Sequence, residues 1–210
     1  MTLVLPWLLV WLVPSLASAQ TGGLFGPFGQ ATVSFSADFM VDADGRPSDG
    51  RIMFIPQRRR VEVTTDGRHI VGITYLDLGV GYSMDLDRKV YSEFNVGPTP
   101  ALPTGSIFPN WTVTRDGEDT VDGYVRTRYN AEEHRPNGDG FRGILWLVEA
   151  YNLVVEAKGI NKAGGRTWPV KYRIFNIKVG PQDPALFEPP PDFTRQGTGV
   201  DPSAPPRVQP

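Results

Sequence analysis

The sequence predicts a mainly β protein built on one large, curved antiparallel sheet of about eleven strands with little helix. Three observations carry this. Apolar and polar residues alternate at a period of two along most of the chain. Glycine (23) and proline (20) together exceed a fifth of the 210 residues and interrupt the pattern at short intervals. No segment has the 3.6-residue period of a long helix that would cover a sheet. So wide a sheet cannot stay flat, because strand twist makes it curl or close.

The elements follow in order. Met1 to Ala19 carries no charge, and Leu3 to Val13 is an apolar run too short to cross roughly 30 Å of hydrocarbon as a helix. Pro14 breaks the run, and Ala17-Ser18-Ala19 supplies small residues for signal peptidase, so 1–19 reads as an export signal cleaved after Ala19. Residues 20–195 form a single β-domain on this reading. Its Gly-rich lead-in, Gln20 to Gln30, precedes a clean alternation of Val33, Phe35, Ala37, Phe39 and Val41 on one strand face. A loop is expected from Asp42-Ala43-Asp44-Gly45 to Asp49-Gly50. Ile52 to Ile55 is apolar on both faces and reads as a central, covered strand.

Arg58 to Thr64 puts Val61 and Val63 opposite Arg60, Glu62 and Thr64, and Asp66-Gly67 signals a two-residue hairpin. His69 to Tyr75 and then Tyr82 to Leu86 with Lys89 to Val96, around Asp87-Arg88, continue the sheet. Gly97 to Pro109 holds four prolines and reads as a long loop. Trp111 to Arg115 pairs with Tyr124 to Ala131 across an acidic, Gly-containing turn. Phe141 to Glu149 pairs with Leu153 to Lys158, and Thr167 to Val179 ends the sheet. Asp183 to Phe187 is one helical turn stopped by Pro189-Pro190-Pro191. Residues 196–210 have little to bury and read as a disordered tail.

Composition removes several functions. Lys+Arg 21 against Asp+Glu 23 leaves a net charge of −2, no basic field for nucleic acid or an anionic membrane surface. Cysteine is absent, which excludes disulfides, thiol catalysis and Cys-ligated zinc. The two histidines lack a triad context: His69 opens a strand, and His134 sits in Glu132-Glu133-His134-Arg135 without a second histidine spaced to share a metal. Asp42, Asp44 and Asp49 lack the ligand spacing of a calcium loop. No enzyme activity, cofactor or metal is expected.

What remains is an apolar sheet face. Its concave side is expected to collect Phe35, Phe39, Phe54, Met84, Phe94 and Trp146. An exported protein with such a concavity and no helix to cover it invites an apolar ligand or a partner's apolar segment.

The order Gly50-Arg51-Ile52-Met53-Phe54 to Arg60-Val61-Glu62, then Tyr82-Ser83-Met84-Asp85-Leu86-Asp87 to Lys89-Val90-Tyr91-Ser92-Glu93, then Tyr172-Arg173-Ile174-Phe175-Asn176-Ile177 to Asp183-Pro184-Ala185-Leu186-Phe187-Glu188-Pro189-Pro190 resembles the periplasmic outer-membrane lipoprotein carrier superfamily, its uncharacterised branch above all. The resemblance spans Ala31 to Thr194. It implies an unclosed half β-barrel around an apolar cavity that binds lipid or acyl groups. It also implies a gating role for Arg60, matching a carrier arginine that hydrogen-bonds a helical lid. Partners on this reading are a lipid, acyl chain or lipoprotein, with an envelope protein as a further partner class. The place is the periplasm, with no transmembrane segment in the mature chain. The family's lid region falls on Pro-rich Gly97 to Pro109, so simple apolar binding is expected ahead of lipoprotein hand-over. The rival is a structural or interaction module of the envelope whose core is filled by its own side chains.

Overall fold

A computed structural model describes residues 26–65, 67–96 and 107–196. The signal segment 1–19, most of the lead-in, Asp66, residues 97–106 of the Pro-rich loop and the tail beyond Gln196 lie outside the described residues. Twelve strands form one curved sheet that does not close into a barrel. They are β1 (Phe35–Ala43), β2 (Arg46–Ile55), β3 (Arg58–Thr65), β4 (Arg68–Tyr75), β5 (Val80–Asp85), β6 (Val90–Asn95), β7 (Trp111–Val121), β8 (Tyr124–Glu133), β9 (Gly140–Val148), β10 (Leu153–Ala163), β11 (Arg166–Val179) and β12 (Thr194–Arg195). The order is β12-β6-β5-β4-β3-β2-β1-β11-β10-β9-β8-β7. β1 therefore sits centrally and pairs with β11, joining two hairpin runs into one sheet. Every pairing is antiparallel except the two-residue β12, which runs parallel to β6.

Short turns set the register. Pro56-Gln57 links β2 to β3, Gly164-Gly165 links β10 to β11, and Asp122-Gly123 links β7 to β8. Thr65 faces Arg68, so the chain reverses where the sequence places a hairpin, with Gly67 at φ +72°. Two sequence boundaries move. The first turn is only Asp44-Gly45, and β2 begins at Arg46, so Asp49-Gly50 lies within a strand. A side chain at Gly50 would collide with the Glu62 carbonyl and press the Phe39 ring, which is why glycine sits there. β7 runs through the acidic residues Asp116 to Asp119 to Val121, with a bulge between Arg115 and Gly117. An edge strand mostly exposed to water needs no apolar alternation to mark it.

Both faces of the sheet are covered in part. Facing residues in the ladder share a face, so Phe35, Phe54, Arg59 and Thr74 lie on one side, and Met53, Arg60 and Ile73 on the other. Ile52 to Phe54 is buried throughout, as expected of a strand apolar on both sides. The Met53 face carries a second, smaller core of Met53, Val71, Ile73 and Met84, closed by Phe187 from the C-terminal segment. That segment forms the 3-10 turn η3 (Pro184–Phe187), capped by the Asp183 carboxylate accepting from the Ala185 N–H. Arg60 donates to the Leu186 carbonyl at 2.7 Å and Tyr75 Oη to the Phe187 carbonyl at 2.8 Å. Lys89 pairs with Asp192 at 2.7 Å, and β12 then covers the β6 edge.

Candidate functional site in the sheet interior

The Phe35 face wraps one continuous apolar cluster that runs from β3 round to β7. Phe35, Phe39, Ile52, Phe54, Val61 and Val63 meet Phe141, Leu145, Leu147, Ala157 and Ile174 there. Phe54 is 1% exposed and Phe35 2%, their rings stacked at 5.8 Å. In this state the interior is filled by its own side chains.

Its cover is thin. The 3-10 turn η1 (Gly26–Phe28) lies on β8 to β10, with Gly26 against Leu145 and Val154 and the Phe28 ring 4.9 Å from that of Tyr129. Asn152 holds it down. This residue ends the turn η2 (Glu149–Tyr151) at φ +48°, a left-handed conformation that asparagine tolerates better than most residues. Its buried side-chain amide donates to the carbonyls of Phe28 at 2.7 Å and Gln30 at 2.9 Å. Across the sheet, Gln30 exchanges hydrogen bonds with Gln57. Phe108, shortly before β7, donates its N–H to the Pro27 carbonyl.

The six residues expected to line one concavity do not share a face. Phe35, Phe39, Phe54 and Phe94 do, Phe94 lying over Gly81 and less buried than the other three. Met84 pairs with Val71 and Tyr91 and is fully buried on the opposite side beneath Phe187. Trp146 pairs with Glu156, also on the opposite side. There it underlies a charged group: Arg126 chelates Asp119 at 2.7 and 2.8 Å and reaches Glu156 at 2.9 Å, while Lys158 pairs with Glu156 at 2.6 Å. Arg126 hydrogen bonds hold the Asp119 carboxyl below the ordinary carboxylate range. Burial raises Glu156, but hydrogen bonds from Lys158 and Arg126 together outweigh it and leave that carboxyl lowered as well. A wide, shallow depression of about 550 Å³ is lined by Met40, Asp122, Tyr124, Arg173, Phe175, Asn176 and Ile177.

Arg60 also points away from the interior. Side chains alternate along a strand, so with Val61 and Val63 inside, Arg60 faces out, toward Glu62 and the Leu186 carbonyl. The arginine turned inward is its neighbour Arg59, 3% exposed, with its guanidinium 3.4 Å from the Thr74 hydroxyl. Desolvation lowers its pKa to about 10, so it stays charged at neutral pH. Tyr172 faces the same interior at 8% exposure, and burial pushes its phenol upward. The Tyr172 hydroxyl has no hydrogen-bond partner among the described residues. Strict alternation from Val61 and Val63 points to Arg59; nothing in the local pattern singles out Tyr172.

No family model matches the sequence, and no curated protein does. Solved structures similar to this chain include an uncharacterized conserved protein from Thermus thermophilus, at 9% identity and a TM-score of 0.52 over 79% of this chain and 90% of that one. Others are the Pseudomonas aeruginosa MucA/MucB complex, at 13% identity and a TM-score of 0.40 over 83% of this chain and 62% of that one, and a LolA superfamily protein from Nitrosomonas europaea, at 8% identity and a TM-score of 0.32 over 74% and 90%. At these identities the likeness is one of fold.

Proposed function

We propose that this chain is a non-enzymatic, exported binding protein of the cell envelope that takes an apolar ligand, an acyl or lipid group, into the interior of the half-barrel. The observation that carries the reading is the thinness of the cover. A sheet's apolar face is ordinarily buried by a second sheet or by helices. Here the described residues contain one sheet and three 3-10 turns of three or four residues, and η1 is the turn that lies over the interior. Lifting η1 with the adjoining Phe108 exposes apolar wall without breaking the strand ladder. Export by residues 1–19, removal of that signal after Ala19 and a periplasmic place belong to the same proposal. So do an envelope-protein partner and a dispensable tail beyond Arg195.

The second reading is a structural or interaction module with a filled core, favoured by the near-complete burial of Phe35 and Phe54. Phe39→Glu separates the two. Phe39 belongs to the interior wall. If the interior opens to ligand, the carboxylate is hydrated in the open state, so the variant stays folded and takes up no apolar dye. If the core is permanently filled, an unpaired buried carboxylate costs several kcal/mol and unfolds the protein. Circular dichroism with a dye titration reads both outcomes.

A further inference from the structure

We propose that the depression between the tip of the β7–β8 hairpin and β11 is a second binding site, for a free α-amino acid with a large apolar side chain. It does not depend on the interior taking a ligand. Met40, in its lining, alternates with Phe39 on β1, so the site lies on the sheet face opposite the interior. Two local features build it. Phe175 pairs with Asp38 and Lys178 with Ser36, so β11 carries one extra residue there. Such a bulge breaks the ladder and re-aims the residues beside it. Asn176, within the bulge, has φ +53°, and its side-chain amide donates to the Asp38 carboxylate at 2.7 Å. Next to it, the Ile177 carbonyl accepts from Tyr124 Oη at 3.1 Å, which ties the start of β8, and the Asp122-Gly123 turn before it, to β11. The depression of about 550 Å³ lies between these pieces.

The lining names the ligand. Among the described residues that form it, Arg173 is the one cation and Asp122 the one anion. They pair with each other at 2.9 Å, with side chains 40% and 58% exposed. Water and salt screen a pair so placed, so little is lost when a ligand's charges replace it. Apolar surface begins directly beside the guanidinium: Met40 is the ladder partner of Arg173 and is 52% exposed in mid-strand. Tyr124, Phe175 and Ile177 continue that surface. An α-amino acid carries its ammonium and carboxylate on one carbon. It therefore fits between two groups already in contact, carboxylate toward Arg173 and ammonium toward Asp122, and turns one ion pair into two charge-assisted ones. Its side chain then rests on the Met40 surface, where a flexible thioether adapts to its shape.

The test titrates the mature chain with L-phenylalanine, N-acetyl-L-phenylalanine, L-phenylalaninamide and glycine, and follows backbone amide shifts by NMR. Phenylalanine is expected to shift amides at 122–124 and 173–177. It should bind at least roughly tenfold tighter than each of the others, because each lacks one of the three contacts. Asp122→Asn keeps the turn, since Asn-Gly is favoured where both residues have positive φ, as Asp122 (+52°) and Gly123 (+80°) do. That variant should erase the preference over N-acetylphenylalanine. Arg173→Gln, at a half-exposed position, should erase the preference over phenylalaninamide. Equal binding of all four compounds, a preference that survives in its variant, or no shift at millimolar phenylalanine overturns the site. Shifts confined to interior residues such as Phe39 and Phe54 also overturn it, and leave apolar binding in the interior standing.

Discussion

Asn152→Gly removes the side chain that pins the cover while keeping a backbone conformation glycine adopts freely. The loss is two hydrogen bonds, to the Phe28 and Gln30 carbonyls, the first of them buried. A net hydrogen bond is worth about 1 kcal/mol and a stranded buried carbonyl adds about 1–2, so the cover should open more easily by roughly 3 kcal/mol. At 1.4 kcal/mol per decade that is about a hundredfold loss of protection for amides reporting on the cover. Two such amides are Phe108, which donates to the Pro27 carbonyl, and Thr32, which donates to the Tyr151 carbonyl. Hydrogen exchange followed by NMR reads them individually, with the β2–β3 ladder as internal reference. The expected result is a selective loss at Phe108 and Thr32, together with faster dye uptake and release. Uniform loss across the sheet, or unchanged exchange at both amides, would refute the idea that η1 is a separately opening cover.

Other outcomes follow from the second face. Phe187→Ala empties a site that is 1% exposed beneath the C-terminal segment and should cost about 3–4 kcal/mol in urea unfolding, with interior dye uptake unchanged. Arg60→Leu breaks the bond to the Leu186 carbonyl and should cost about 2 kcal/mol by the same assay, again without effect on dye uptake, whereas a gating arginine would alter ligand retention. Arg126→Met strands Glu156 with Lys158 as its remaining cation and should cost about 3 kcal/mol. Asp119 and Glu156 both have lowered folded-state pKa values, so their stabilisation is complete above the unfolded carboxylate pKa of about 4 and is lost as pH falls through the folded values. A melting-temperature series across that acid range should fall more steeply in the wild type than in Arg126→Met.

The sheet is legible in the sequence because the forces that make it are local. Alternation marks β1, β3 and the covered strand β2, and the Asp66-Gly67 and Gly164-Gly165 pairs mark turns where φ must be positive or the chain must reverse. What escapes depends on partners distant in sequence. Asp49-Gly50 has turn chemistry, but Gly50 is required by close approach to β3 and not by a turn. Met84 and Trp146 are apolar and strand-borne, yet register places them on the face opposite Phe35. An apolar side chain there makes sense only once something covers that face, and Phe187, read from sequence as part of a single turn, is that cover for Met84. Family resemblance casts Arg60 as a gating arginine that hydrogen-bonds a lid, while its alternation with Val61 turns it outward, where it donates to the Leu186 carbonyl. Tyr172 is not singled out by any local pattern, since what sets it apart is a buried hydroxyl with no hydrogen-bond partner among the described residues.

Native mass spectrometry of the mature protein, purified without detergent from its own envelope, reads whether the interior carries an apolar ligand. An additional apolar mass is expected at one equivalent per chain, released on denaturation and replaceable by hexadecanoate, and absent from Phe39→Glu. A protein that carries no such mass, and that acquires none after incubation with hexadecanoate, hexadecyl phosphate or hexadecanol, would contradict the apolar-ligand reading and leave the filled-core interaction module in its place.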